Sequence, residues 1–310
     1  MCATGAHINL RVTTMKIFDF NFLRIIQKRR TLDMWLDEFR LILNNKQLKK
    51  HTIQNKESLI KYLSQQLGKM DIRKISTFDL AELVNHYVKR GTNSAAKSMH
   101  VLLKEIFREA YFNGWIKTDP TVPLRSPKAP VKRSRITFEE FSLILEYTKR
   151  NYSPAFYQAF VLALITGQRR SDIVKMKRSD VKKGFLHIEQ FKTGNMIALP
   201  LNLVCEKLNM NLDCVINKIC GGKNYLIESA NRPITSTNLT TIFATVRDIV
   251  FYDAGYWNGS PPSFHEIRSL SERLYRQQGI DTMILLGHKT QQMTDKYNDS
   301  RGKECRYLKI

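Results

Sequence analysis

Residues 184–200, GFLHIEQFKTGNMIALP, decide how this chain is read. Two runs there, Phe185 to Phe191 and Met196 to Pro200, have an apolar spacing of about two, and Lys192-Thr193-Gly194-Asn195 lies between them. That pattern predicts a β-hairpin with Lys192 beside its turn. Upstream, Thr137 and Glu140 form a capping-box signature before Phe141, Ile144 and Leu145. Ser153-Pro154 then opens a second helix through Phe156, Phe160, Val161 and Leu164. Downstream, Leu201 to Asp299 returns to helical spacing, with stops at Gly221-Gly222, Gly279 and Gly287. The fold class expected is mainly α with a small antiparallel β-sheet.

Further toward the amino terminus the helical period vanishes in residues 119–135, DPTVPLRSPKAPVKRSR, which hold four prolines and five Lys or Arg. This reads as an extended basic linker between two domains. Before it lies a helical bundle. Leu32, Trp35, Leu36, Phe39, Ile42 and Leu43 form one stripe starting at Thr31. A helix from Ser76 or Thr77 carries Leu80, Leu83, Val84 and Tyr87 to Gly91, and another runs from Ser94 through Val101, Leu102, Ile106, Phe107, Ala110 and Tyr111 to Asn113-Gly114. The expected domains are a short segment 1–30, a helical domain 31–120, a linker 121–136 and a second domain 137–310 with a tail at 298–310.

Charge narrows the partner. Fifty Lys and Arg against 28 Asp and Glu give a net charge of +22 over 310 residues. A surplus of that size points to a polyanion, with nucleic acid ahead of an anionic membrane surface. No run approaches the ~18 apolar residues of a membrane span. The first residues, MCATGAHINLRVTTMKIF, lack a secretory pattern. Cys2, Cys205, Cys214, Cys220 and Cys305 contain no CxxC pair and are odd in number. They read as unpaired thiols in a reducing cytoplasm.

Four places present cationic or nucleophilic side chains. In Thr166-Gly167-Gln168-Arg169-Arg170-Ser171-Asp172 a glycine turn follows an apolar helix, and Asp172 is expected to hold the Arg169 guanidinium. A surface ion pair worth little explains this stretch equally well. In Ser263 to Ser271 a helix capped by Ser263 puts His265 and Arg268 on one face, away from Ile267, Leu270 and Leu274, as a fork for an anionic oxygen or simply as a solvated face. In Leu285-Leu286-Gly287-His288-Lys289 a histidine follows a helix stop, and Tyr297, nine residues on, returns toward it on a short helix or packs at the core edge. The fourth is Lys192, which reads alone as a charged hairpin tip.

Taken together, these stretches resemble the tyrosine site-specific recombinases, and more closely the lambda-type phage integrases. The resemblance rests on ITGQRRSDIVKMKRSDV (165–181), EQFKTGNMIALP (189–200), PPSFHEIRSLSERLY (261–275) and LLGHKTQQMTDKYNDSRG (285–302), with a softer match in AAKSMHVLLKEIFREAYFNGWIKTDP (95–120). It implies a helical core-binding domain and an α+β catalytic domain forming a clamp around DNA. It implies that Arg169 and Arg268 clamp the scissile phosphate, with Asp172 behind them. Lys192 then protonates the departing 5′ oxygen, His265 transfers a proton, His288 is a third phosphate donor and Tyr297 is the nucleophile. Lys128, Lys132, Arg133 and Arg135 of the linker are expected near DNA phosphates.

The same resemblance implies a 3′-phosphotyrosyl intermediate whose bond energy is conserved, with no metal, ATP or other cofactor. The partners expected are double-stranded DNA at attachment sites and a homotetramer on that DNA, helped by a host DNA-bending protein and an excisionase. The location expected is the cytoplasm of a bacterial host, at the nucleoid. An amino-terminal arm-binding domain is not found in residues 1–30, which hold one glycine, and Met15 is a second candidate start. The competing reading is a recombination-inactive prophage remnant that only binds DNA. A type IB topoisomerase shares the chemistry without support from these motifs.

Overall fold

The computed structural model describes residues 30–128, 133–218, 224–229, 232–253 and 255–298. The chain folds as two units, Met1–Pro130 and Val131–Ile310.

The first unit is helical. Helix α1, Leu32–Asn45, begins where Thr31 accepts the Met34 N–H, and buries Leu32, Trp35, Leu36, Phe39 and Leu43 at helical spacing. Helix α2, Lys50–Leu67, has no counterpart among the elements expected from sequence, because only Ile60 and Leu63 are buried along its polar length. A full capping box between Ser76 and Asp79 opens α3, Thr77–Lys89. Helix α4, Asn93–Phe112, buries Ala96, Met99, Leu102, Leu103, Ile106, Phe107 and Ala110. The chain leaves α3 and α4 at Gly91 and Gly114, both at positive φ. Trp35 ties α1 to α4 by donating its indole N–H to the Ile106 carbonyl at 3.1 Å.

The second unit is built around α6, Pro154–Thr166, whose buried residues run without a break from Ala159 to Thr166. A helix apolar on every side has to be covered on every side. Helix α5, Phe138–Asn151, enters through the Thr137–Glu140 capping box and packs on it. After α6 comes the four-residue α7, Arg170–Ile173. Strands β1 (Val181–Lys182), β2 (Phe185–Glu189) and β3 (Met196–Pro200) form an antiparallel sheet in that order, with Leu186 opposite Leu199 and Ile188 opposite Ile197.

Beyond Pro200 the structure departs from the helical expectation. Strands β4 (Val204–Cys205) and β5 (Met210–Asn211) pair, as do β6 (Glu228–Ser229) and β7 (Arg232–Pro233). Two-residue strands are too short to carry a period. Helices α8 (Leu212–Lys218), α9 (Ser236–Val250), α10 (His265–Gln277), α11 (Thr282–Leu286) and α12 (Gln291–Asn298) complete the unit.

Helix α10 corrects a second expectation. Its polar face is not solvated, since Glu266 through Glu272, Leu274 and Tyr275 are all buried, Arg268 among them. The cause is its position: it packs on both α6 and α12. It is not capped by Ser263 either, because Phe264 is the residue before its first turn and makes no side-chain cap. Phe264 instead packs with Phe160 and Phe243 at centroid distances of 5.7 and 5.9 Å, which anchors the start of α10. Among the described residues no helix is long and apolar enough to cross a membrane. Cys205 is buried and Cys214 exposed, both free. Cys2, Cys220, Cys305 and residues 299–310 of the tail lie outside the described residues.

Candidate active site

Three helix ends and one hairpin converge in the second unit. Helix α6 ends at Gly167, whose φ of +63° reverses the chain. A Cβ there would come within 2.9 Å of Leu286 Cδ2 and Ser271 Oγ, so the position demands glycine twice over. Arg169 follows as the residue before α7. His265 is the first residue of α10, α11 ends at Gly287 with a φ of +61°, and α12 carries Tyr297. These elements enclose a cavity of about 690 Å³ lined by Arg133, Arg169, Arg170, Lys192, His265, His288, Lys296 and Tyr297, among others. None of the described lining residues is an Asp or Glu. A cavity with this lining is suited to an anion such as a phosphodiester.

Arg268 sits behind the cavity, 1% exposed. Its Nη1 donates to the Gly167 carbonyl at 2.7 Å, and its Nη2 donates to the Leu286 carbonyl at 2.6 Å and to His288 Nε2 at 3.0 Å. Both carbonyls belong to helix C-termini, where oxygens lack intrahelical partners and carry partial negative charge. Burial, then the nearby Arg169, pushes its pKa down to about 10, so it stays a cation at neutral pH.

Arg169 is turned differently from expectation. Its Nη1 donates to Gln190 Oε1 at 3.0 Å. Asp172 instead accepts the Phe191 N–H at 2.9 Å, so this buried carboxylate fixes the hairpin loop beside Lys192 and makes no ion pair with Arg169. Gln190 is fully buried and donates to Gln168 Oε1 at 2.8 Å and to the Leu286 carbonyl at 2.9 Å, while Gln168 donates to the Thr166 and Leu285 carbonyls, each at 2.8 Å. This amide pair joins the α6 turn, the hairpin and the end of α11. Neither glutamine is among the sequence-predicted site residues. The signal for Gln190 was available, since it continues the inward spacing of two set by Leu186 and Ile188, one residue past the end of β2.

The two histidines face Tyr297 from different sides. His265 Nε2 lies 3.2 Å from the Tyr297 hydroxyl, and the ring keeps an exposed edge on the cavity. The surrounding protein, then Arg268, Arg169, Arg133 and Lys192, pushes the His265 pKa down to about 4, which leaves the ring neutral at pH 7. His288 is buried, its ring centroid 5.2 Å from that of Tyr297. Burial, then Arg268 and Arg169, lowers its pKa to about 4 as well.

His288 departs from its expected role as a third phosphate donor. Its Nδ1 is 2.9 Å from Thr294 Oγ1 and its Nε2 faces Arg268. A guanidinium only donates, so Nε2 is the acceptor and the single ring proton is on Nδ1. That proton goes to Thr294, and His288 has none to offer the cavity.

The linker cations separate as well. Lys128 and Arg133 are exposed, and Arg133 also lines the cavity. Lys132 lies outside the described residues. Arg135 is not available to DNA. Its Nη1 donates to Glu266 Oε2 at 3.2 Å and to Ser269 Oγ, and its Nη2 donates to the Lys296 carbonyl at 2.9 Å. Ser269 in turn donates to the Tyr297 carbonyl at 2.9 Å. Arg135 and Ser269 thus cap the last turn of the helix that bears Tyr297. Arg170 and Lys296 line the cavity without having been predicted; the Arg169-Arg170 doublet was the signal for the first. Among the described residues no group of three or more His, Cys, Asp or Glu is placed to hold a metal ion.

The family profile described as "Phage integrase family" matches residues 134–304, and that described as "Phage integrase central domain" matches residues 35–127. The integrase of Enterobacteria phage P21 is 35% identical over 290 residues, covering 88% of this chain and 76% of that protein. The integrase of Escherichia phage lambda is 35% identical over 286 residues, covering 90% and 79%. A crystal structure of a lambda integrase dimer bound to a COC′ core site matches with a TM-score of 0.85 at 33% identity, covering 95% of this chain and 85% of that one. A lambda integrase tetramer bound to a Holliday junction matches with a TM-score of 0.85 at 33% identity, covering 94% and 84%.

Proposed function

We infer the working of this site from one premise: the chain belongs to the phage integrase family and is a tyrosine-type site-specific DNA recombinase. The scissile phosphate occupies the cationic cavity, with Arg169 and Arg268 facing its non-bridging oxygens. The Tyr297 oxygen attacks phosphorus, the bond to the 5′ oxygen breaks, and a 3′-phosphotyrosyl link forms. The tyrosine proton passes to neutral His265, and Lys192 supplies the proton that the leaving 5′ oxygen requires. A 5′ hydroxyl of a partner strand reverses the step, so the phosphodiester energy is kept and neither ATP nor a metal enters. Negative charge gathers on the phosphorane-like transition state, and a fixed cationic cradle stabilises it without reorganising.

The observation that carries this reading is the Tyr297 hydroxyl lying 3.2 Å from the His265 imidazole at the edge of a cavity lined by cations. A phenol has a reference pKa of about 10 and needs such an acceptor to act at neutral pH. For the remaining parts of the chain we propose residues 1–30 as a short leading segment, 31–120 as the core-site DNA-binding domain, 121–136 as the linker and 137–310 as the catalytic domain. Lys128, Lys132 and Arg133 are proposed phosphate contacts. The states held by the lambda integrase structures, a dimer on a core site and a tetramer on a Holliday junction, are proposed for this chain. A host DNA-bending protein and an excisionase are proposed helpers, and the nucleoid the place of action. A remnant that only binds DNA is not favoured, because Arg169, Lys192, His265, Arg268, His288 and Tyr297 are all present.

The test needs no known attachment site. The protein and its Tyr297→Phe variant are incubated with supercoiled plasmid in EDTA without ATP, and denaturing gels are run for relaxed and protein-linked DNA. Relaxation with a 3′-linked adduct that disappears in the variant supports tyrosine cleavage. Binding with neither product, on plasmid and on nicked duplexes from the flanking genome alike, refutes it.

A further inference from the structure

Thr294 has no part in the reaction just described, yet it is fully buried beside it. It lies three residues before Tyr297 in α12, so the two share a helix face. Its hydroxyl is 2.9 Å from His288 Nδ1, and His288 Nε2 is 3.0 Å from Arg268 Nη2. Only one protonation state satisfies this chain. With a proton on Nε2, or on both nitrogens, an N–H would point at an N–H of a buried guanidinium. With the proton on Nδ1, every contact is a hydrogen bond, and the acceptor it needs is Thr294.

We propose that Thr294 is a positioning residue for strand cleavage: its hydroxyl holds His288 in the Nδ1-protonated form, so that Nε2 can accept from Arg268 and fix the guanidinium. The helix that delivers the nucleophile thereby sets the clamp. While α12 is seated, Arg268 is held by two helix-terminal carbonyls and by His288. Without the Thr294 hydroxyl the imidazole loses the partner that selects its tautomer, and the third hold on Arg268 goes with it. This rests on the recombinase reading, since it assigns Arg268 to the phosphate.

Two variants separate positioning from packing. Thr294→Val keeps the shape and removes the acceptor, while Thr294→Ser keeps the hydroxyl. The full chain is labelled with ¹⁵N-histidine, the His288 ring signals are assigned with a His288→Gln variant, and the tautomer is read from the ring nitrogen shifts at pH 7. The wild type and Thr294→Ser are expected to show protonated Nδ1, and Thr294→Val a shift toward protonated Nε2. Plasmid relaxation by Thr294→Val is expected to fall roughly tenfold, with binding unchanged and Thr294→Ser within a few-fold of wild type. Protonated Nε2 in the wild type overturns the proposal, as does a Thr294→Val protein with unchanged tautomer and rate. Should Thr294→Val fail to fold, the wild-type and Thr294→Ser spectra still decide the tautomer. Should the wild type give no product on plasmid or on nicked duplexes from the flanking genome, the recombinase reading is what fails, and the ring signals still decide the lock.

Discussion

Arg135→Ala should act on the fold of the catalytic unit and not on its grip on DNA. The side chain is 15% exposed and its partner Glu266 is 4% exposed. Removing one member of a buried ion pair leaves the other charge poorly compensated, at a cost of about 3–5 kcal/mol. The unit runs from Val131 to Ile310. For a unit of that size 1 kcal/mol moves the thermal midpoint by roughly 2–4 °C, so a drop of roughly 6 °C or more is expected. The Lys296 carbonyl loses its cap at the same time, and cleavage should fall with stability, because Tyr297 is the next residue along.

Two measurements on the full chain give opposite answers for the opposite role. One is calorimetry of the catalytic transition. The other is the slope of log affinity against log salt for duplex binding, which each lost phosphate contact reduces by about 0.9. Arg135→Ala should lower the midpoint and leave the slope alone, whereas Arg133→Ala should lower the slope and leave the midpoint alone. A second pair of variants probes the charge itself. Replacing Arg135 and Glu266 together by methionine should recover part of the loss, as apolar replacements of buried ion pairs commonly do. If Arg135→Ala instead melts within about 1 °C of wild type and binds with a shallower salt slope, the capping role is wrong and the arginine reaches phosphate.

The pH response follows from the two histidines. Each has a folded pKa lowered to about 4, below the unfolded value of about 6.5. Between those values the unfolded chain binds protons that the folded one does not, so stability is complete above about pH 6.5 and declines as the pH falls toward 4. Cleavage should persist through pH 5 and disappear as pH falls through about 4, when His265 can no longer take the tyrosine proton. Single-turnover rates on a nicked duplex across pH 4 to 8 check this, and an activity loss centred near pH 6.5 would contradict it. Gln190→Leu removes the acceptor that orients Arg169 and leaves the Gln168 oxygen without its donor. Cleavage should fall on the order of tenfold while duplex affinity stays within about twofold, which gel-shift and adduct assays separate.

What could be read from the sequence was whatever depends on near neighbours along the chain. The Thr137–Glu140 capping box, the helix ends at Gly91, Gly114, Gly167 and Gly287, and the hairpin with Lys192 at its turn all follow from spacings of a few residues. Helix α2 escaped because a helix that buries only Ile60 and Leu63 leaves almost no stripe. The candidate site divides along the same line. Its residue types were legible in four short stretches, but what each long side chain meets was not. Arg135 lies 131, 134 and 161 residues from Glu266, Ser269 and Lys296, and Arg268 reaches a carbonyl 101 residues away. At such separations a cation aimed at solvent, a phosphate or a helix end looks the same in the sequence. The net charge of +22 therefore overstates the charge available to DNA, because Arg135 contributes to it while spending its donors on protein oxygens. Lys128 and Arg133, from the same basic linker as Arg135, remain exposed. Position in the fold, not residue type, divides cations that hold the nucleophile helix in place from those open to the duplex.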